Sequence, residues 1–100
     1  MDTHRPHLLT SLCYAASKGY TAIVEMLLKQ GSPVNARATD GSTALMWAAK
    51  KGNIDTVKLL LKNGADPDAR DGKGKTALDH ATEKGNRKII DFLKGYRPAE

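Results

Sequence analysis

The stretch Asp40-Gly41-Ser42-Thr43-Ala44-Leu45-Met46-Trp47-Ala48-Ala49-Lys50-Lys51-Gly52-Asn53 reads as a short helix with both ends marked. Thr43 is an N-cap residue, because its hydroxyl can accept from one of the unpaired N–H groups of the first turn. Residues 44 to 51 are helix formers except for Trp47, and Gly52 suits the left-handed position that closes a helix. A second helix follows, with Asn53 as its cap, Asp55 in the positive first turn and Lys62 in the last. It stops at Lys62-Asn63-Gly64. Leu45, Ala48 and Ala49 form one apolar stripe at helical spacing, and Val57, Leu60 and Leu61 form the stripe that faces it. Ala65 to Lys75 holds Pro67, Asp71, Gly72 and Gly74 at turn positions and reads as an exposed finger.

The same pattern recurs on either side. Gly19, Gly52 and Gly85 lie 33 residues apart, as do Thr10, Thr43 and Thr76; Leu12, Leu45 and Leu78; Ala15, Ala48 and Ala81; and Leu27, Leu60 and Leu93. Gly31 pairs with Gly64, and Gly41 with Gly74. A sustained period of this length marks a stacked array in which each unit needs its neighbours to bury an apolar face. The 100 residues hold about three units, near the minimum for stability.

Thr43 to Ala49, Gly52-Asn53, Val57 to Leu61 and Asn63-Gly64-Ala65-Asp66-Pro67-Asp68-Ala69 together resemble an ankyrin repeat, and the resemblance extends over residues 8 to 95. It implies an all-α solenoid of three helix-turn-helix units with short β-hairpin fingers, a single domain over residues 1–100. The repeats are expected at about 7–39, 40–72 and 73–97. It also implies a non-catalytic scaffold that binds another protein through its finger tips and the concave face of its first helices. In this sequence those positions are Thr39, Asp40, Ser42, Met46, Lys50, Lys51, Lys73, Lys75, Asp79, Glu83 and Lys84. The chain departs from the family's Thr-Pro-Leu-His run, reading Thr10-Ser11-Leu12-Cys13, Thr43-Ala44-Leu45-Met46 and Thr76-Ala77-Leu78-Asp79. The missing histidine implies modest stability. Ala38 replaces the aspartate often found ahead of the finger glycine, and Asp71 keeps it. Asn35 in Val34-Asn35-Ala36 resembles the asparagine that some animal oxygenases hydroxylate in this family, although Pro33 stands where an acid is usual.

Solenoid ends need polar outer faces. In the third unit Arg87 aligns with Ile54 and Lys94 with Leu61, and the pattern breaks at Gly95-Tyr96-Arg97-Pro98, as expected of a C-terminal cap. The first unit has Leu8 and Leu9 where later units have glycine and a polar residue, with Tyr14 aligned to Trp47 and Ile23 to Thr56. Residues 1 to 9 are expected to fold over that edge; the alternative is a sticky edge used for dimerisation or for a partner. Two cap-like ends suggest a nearly complete small protein, more readily a monomer than a dimer.

The single cysteine, Cys13, excludes an internal disulfide framework, and no apolar run is long enough to span a membrane. Residues 1 to 9 lack the apolar core of a signal peptide. These features point to an intracellular protein, cytoplasmic or nuclear. A net charge of +5 favours a partner with an acidic surface but falls short of a dedicated nucleic-acid binder. Docking on anionic lipid or nucleic acid through Lys50, Lys51, Lys73, Lys75 and Lys84 is the alternative reading. Lys18, Lys51 and Lys84 each end a first helix, where they complement the helix dipole and together form a positive column.

Other motifs carry less. Asp71-Gly72-Lys73-Gly74-Lys75-Thr76 resembles the end of a phosphate-binding loop, but position 69 is alanine and Asp66-Pro67-Asp68 is not a buried strand. His4, His7 and Cys13 match no zinc spacing. His80, in the place of Trp47 and Tyr14, reads as a packed or half-exposed helix residue, and Cys13 as a small packing residue. Trp47 is expected to pack between repeats, or else to anchor a partner. No nucleophile, paired-carboxylate site, cofactor site or metal site emerges, and no small-molecule substrate is implied.

Overall fold

A computed structural model describes residues 11–96 of the chain. Six helices run in order: α1 Ser11–Lys18, α2 Thr21–Lys29, α3 Ala44–Lys51, α4 Ile54–Lys62, α5 Ala77–Lys84 and α6 Arg87–Gly95. Thr10, the His4 and His7 pair, the expected covering of the first unit by residues 1 to 9, and the Arg97-Pro98 break lie outside the described residues.

Each helix has eight or nine residues, too short to persist alone in water, so the array forms only through packing. Each consecutive pair makes an antiparallel hairpin. α1, α3 and α5 stack side by side as one layer, and α2, α4 and α6 as the other. Small residues set the close spacing: Ala15, Ala16, Ala44, Ala48, Ala49, Ala77 and Ala81 are all buried. Leu45, Val57 and Leu60 fill the space between layers, with Val24 and Ile89 in the outer units. Truncating a buried leucine of this kind costs about 2–5 kcal/mol.

The helix ends form largely as their residues dictate. The Thr43 and Thr76 hydroxyls accept from Met46 N–H and Asp79 N–H, and Asp79 returns the bond to Thr76 N–H, completing a capping box. Gly52 closes α3 at φ 80°, in the left-handed region that side chains disfavour. Asn53 departs from expectation. It makes no side-chain cap for its own helix; its amide donates to Ala16 O at 2.9 Å and Ser17 O at 3.4 Å in the preceding unit. Asn86 does the same to Ala49 O and Lys50 O. The residues that open α4 and α6 therefore satisfy unpaired carbonyls ending the previous unit's first helix.

The fingers also differ from expectation, since no β-strand is present among the described residues. Each finger closes as a tight turn. Ala38 N–H reaches Ser42 O and Gly41 N–H reaches Ala38 O; Asp71 N–H reaches Lys75 O and Gly74 N–H reaches Asp71 O. One bond pair leaves no length for a ladder. Adjacent fingers are tied by Gly72 N–H donating to Asp40 O at 3.0 Å. A Cβ on Gly41 would stand 2.8 Å from the Gly72 nitrogen, so only glycine permits this approach.

Candidate functional site

The finger tips and the exposed side of the α1–α3–α5 layer form one surface. Two acceptor systems build the fingers against that layer. In the second unit Trp47 Nε1–H donates to Ser42 Oγ at 2.9 Å, and Ser42 Oγ donates to Asp40 Oδ1 at 2.6 Å. These bonds from Ser42, side chain first and then backbone, hold the Asp40 carboxyl below its ordinary range. In the third unit Trp47 is replaced by His80 and Ala38 by Asp71. His80 Nε2 lies 2.9 Å from Asp71 Oδ2, while Asp71 Oδ1 accepts from Lys73 and Lys75 N–H. Burial pushes the Asp71 carboxyl up, but the bonds from Lys75 N–H, His80 and Lys73 N–H outweigh it and leave the pKa lowered. A polar ring N–H on the first helix thus meets a finger acceptor in both units, by different residues.

The Asp71 carboxylate also disposes of the phosphate-loop resemblance. The N–H groups of Lys73 and Lys75, which a bound phosphate would need, are already engaged by this carboxylate. His80 is buried, as a packed helix residue would be, and its Nδ1 has no hydrogen-bond partner. Cys13 is fully buried and in no disulfide.

Two of the anticipated contact residues are not on the surface. Met46 is only 2% exposed and belongs to the core. It sits on the side of α3 that packs into the stack, so an unbranched apolar side chain is retained there for filling space. Ser42 is 6% exposed, its hydroxyl spent on Trp47 and Asp40. The others lie at least partly on the surface. Thr39, Asp40 and Lys73 are exposed at the fingers. Lys50 is half-buried, its Nζ 4.7 Å from the centre of the Trp47 ring. Lys51 and Lys84 are exposed at helix ends, in column with Lys18. Lys75 donates to Glu83, which raises the lysine's pKa and lowers the glutamate's. Asp79 is exposed but serves the α5 cap.

Arg37 and Arg70, on or beside the fingers, also shape this surface. Arg37 Nη1 donates to Gly41 O and to Arg70 O of the next finger, and Arg70 Nη1 donates to Gly74 O. Their 33-residue spacing was the available signal. Asn35, singled out for its resemblance to a modified asparagine, has both ends of its amide engaged: Nδ2 with Gly64 O and Oδ1 with Asp66 N–H.

Stacked helical hairpins with interlocked fingers place the molecule among helical repeat proteins, whose surfaces are extended and whose cores are shared between units. A family model described as ankyrin repeats in three copies matches residues 12–99, and the chain belongs to that family. Compared with curated proteins, it has no significant match.

Proposed function

We propose that the chain binds another protein without catalysis, using the finger tips and the exposed side of α3 and α5. Ankyrin repeats generally act as protein-interaction modules. The observation that carries the reading is the row Asp40, Lys50, Lys51, Lys73, Lys75, Asp79, Glu83 and Lys84, several of which are held in place by the chain itself. Lys50 lies over Trp47, Lys75 is bonded to Glu83, and Asp79 is fixed in the α5 cap. Side chains ordered before binding lose less entropy in the complex. The excess of lysine favours an acidic face on the partner, with rim charges setting the rate of encounter more than the affinity. The interleaved Asp40, Asp79 and Glu83 weigh against a phosphate-tracking groove. No helix among the described residues is long and apolar enough to cross a membrane, and a reducing intracellular compartment suits the lone buried cysteine.

The test is recovery of partners from lysate by the wild-type chain and by a Lys50→Glu, Lys51→Glu, Lys73→Glu variant whose fold is checked by circular dichroism. A partner retained by the first and lost by the second supports the reading; equal recovery by both refutes it. Binding that falls steeply with salt and transfers to anionic vesicles or nucleic acid would instead favour the basic docking alternative.

A further inference from the structure

One end of the molecule gathers unpaired positive charge. The turns joining α1 to α2, α3 to α4 and α5 to α6 all lie there, opposite the fingers. Residues 17–22, 50–56 and 83–89 hold Lys18, Lys50, Lys51, Lys84, Arg87 and Lys88 against only Asp55 and Glu83. Glu83 is already bonded to Lys75, from outside the cluster. Lys51, Lys84, Arg87 and Lys88 are exposed and form no ion pair among the described residues. The undescribed residues join the fold at the finger end, before α1 and after α6. Their only acids are Asp2 and Glu100, balanced by Arg5 and Arg97, so they bring no net negative charge.

Helix stability does not explain the cluster. Lys51 and Lys84 suit the negative ends of α3 and α5. Arg87 and Lys88 do the opposite: they open α6, at the positive end of a helix whose first turn has no acid. The second unit obeys the rule, with Asp55 at the position that Lys88 takes in the third. Exposed departures from a local rule concentrate at functional places. The same turns border a groove of about 300 Å³ that crosses from one unit to the next, from Gly52 and Ile54 to residues 85–89.

We propose that this end binds an extended acidic segment of a partner protein, laid across the turns of the second and third units. The inference rests on the protein-binding reading above and deepens it, adding Arg87, Lys88 and the groove to the lysines at the helix ends. Equivalent positions on stacked helices lie about 8–10 Å apart, and an extended chain rises about 3.3 Å per residue. Acids three residues apart therefore match the spacing of Lys51 and Lys84. The groove takes a side chain that falls between them, and Arg87 at its rim offers a fork of donors to a carboxylate. A planar bilayer does not enter such a groove, and the lining has no aromatic ring on which a nucleobase would stack.

Fluorescence anisotropy of the full chain with a labelled peptide of about ten residues, glutamate at every third position, tests the proposal. The peptide is expected to bind with a dissociation constant near about 50 μM and to weaken as salt rises. Lys88→Asp, which restores the second unit's residue, is expected to weaken binding at least about fivefold while raising the melting temperature. Arg87→Glu is expected to weaken it similarly, and Lys73→Glu, at a finger, to leave it unchanged. A peptide of the same composition with its glutamates in one block is expected to bind about threefold more weakly. Binding that answers to Lys73→Glu and not to Lys88→Asp overturns the inference and leaves the finger-surface reading standing. No binding up to about 1 mM, or tighter binding to phosphatidylserine vesicles, also overturns it, and the lysate comparison then decides the finger reading alone.

Discussion

Replacing Asp71 by alanine should destabilise the third unit more than any other single change at an exposed finger. The Asp71 carboxylate accepts from Lys73 N–H at 2.8 Å, Lys75 N–H at 3.0 Å and His80 at 2.9 Å. Side-chain exposure is only 9% for His80 and 10% for Asp71, so the ring nitrogen would be left without a partner away from water. A bond to an ionised acceptor contributes about 1.5–3 kcal/mol, and an unpaired buried group costs about 1–3 kcal/mol. The two backbone N–H groups lie nearer solvent and recover part of their loss. The net expectation is about 2–4 kcal/mol for Asp71→Ala, a large part of the 5–15 kcal/mol typical of a domain. Thermal unfolding should shift down by about 10–25 °C, at about 4–8 °C per kcal/mol. Asp71→Asn keeps an acceptor for the N–H groups and should lose about half as much. A double-mutant cycle with His80→Phe isolates the pair, with an expected coupling of about 1 kcal/mol. Acid titration gives a second readout. The folded carboxyl lies below its ordinary value of 3.8, so its contribution is complete above that value and is lost as pH falls through the lower folded value. Asp71→Asn should remove that part of the acid sensitivity. A stability loss below about 0.5 kcal/mol for Asp71→Ala, or a His80→Phe cost that is the same with and without Asp71, would refute the reasoning.

Further outcomes follow from the same contacts. Asn53→Ala should cost about 1–2 kcal/mol by chemical denaturation, because it leaves the Ala16 and Ser17 carbonyls short of a donor, and Asn86→Ala should match it at the next joint. Met46→Glu should fail to fold or lose more than about 3 kcal/mol, seen as loss of helical dichroism, because it buries a charge where methionine is 2% exposed. Gly41→Ala should lower the melting temperature through the 2.8 Å approach to Gly72 and its positive φ of 84°. Glu83→Ala should leave the melting temperature essentially unchanged, since its pair with Lys75 is exposed.

Much of this molecule was legible residue by residue, because the signals are local. Thr43, Gly52 and the alternation of alanine and leucine act within one or two turns, and the bounds of α3 follow from them directly. Repetition at 33 residues then multiplies a local signal into a fold, since units that cannot stand alone must stack. The candidate contact surface was legible only in part. Lysines and acids at the fingers could be placed from sequence and family resemblance, but Met46 and Ser42 could not, because Met46 lies on the side of α3 that packs into the stack and Ser42 is held between Trp47 and Asp40.

What the sequence by itself determined was the period, the helices with their caps, and the positions that must be small or apolar. Tertiary structure alone decided how residues 33 or so apart divide their work. Asn53 reads as a cap until the carbonyls of Ala16 and Ser17 arrive beside it. Trp47 with Ser42, and His80 with Asp71, join finger to helix in ways that a linear pattern does not announce. The physical reason is that hydrogen-bond satisfaction and burial belong to neighbours in space, and in a solenoid those neighbours come from the adjacent unit.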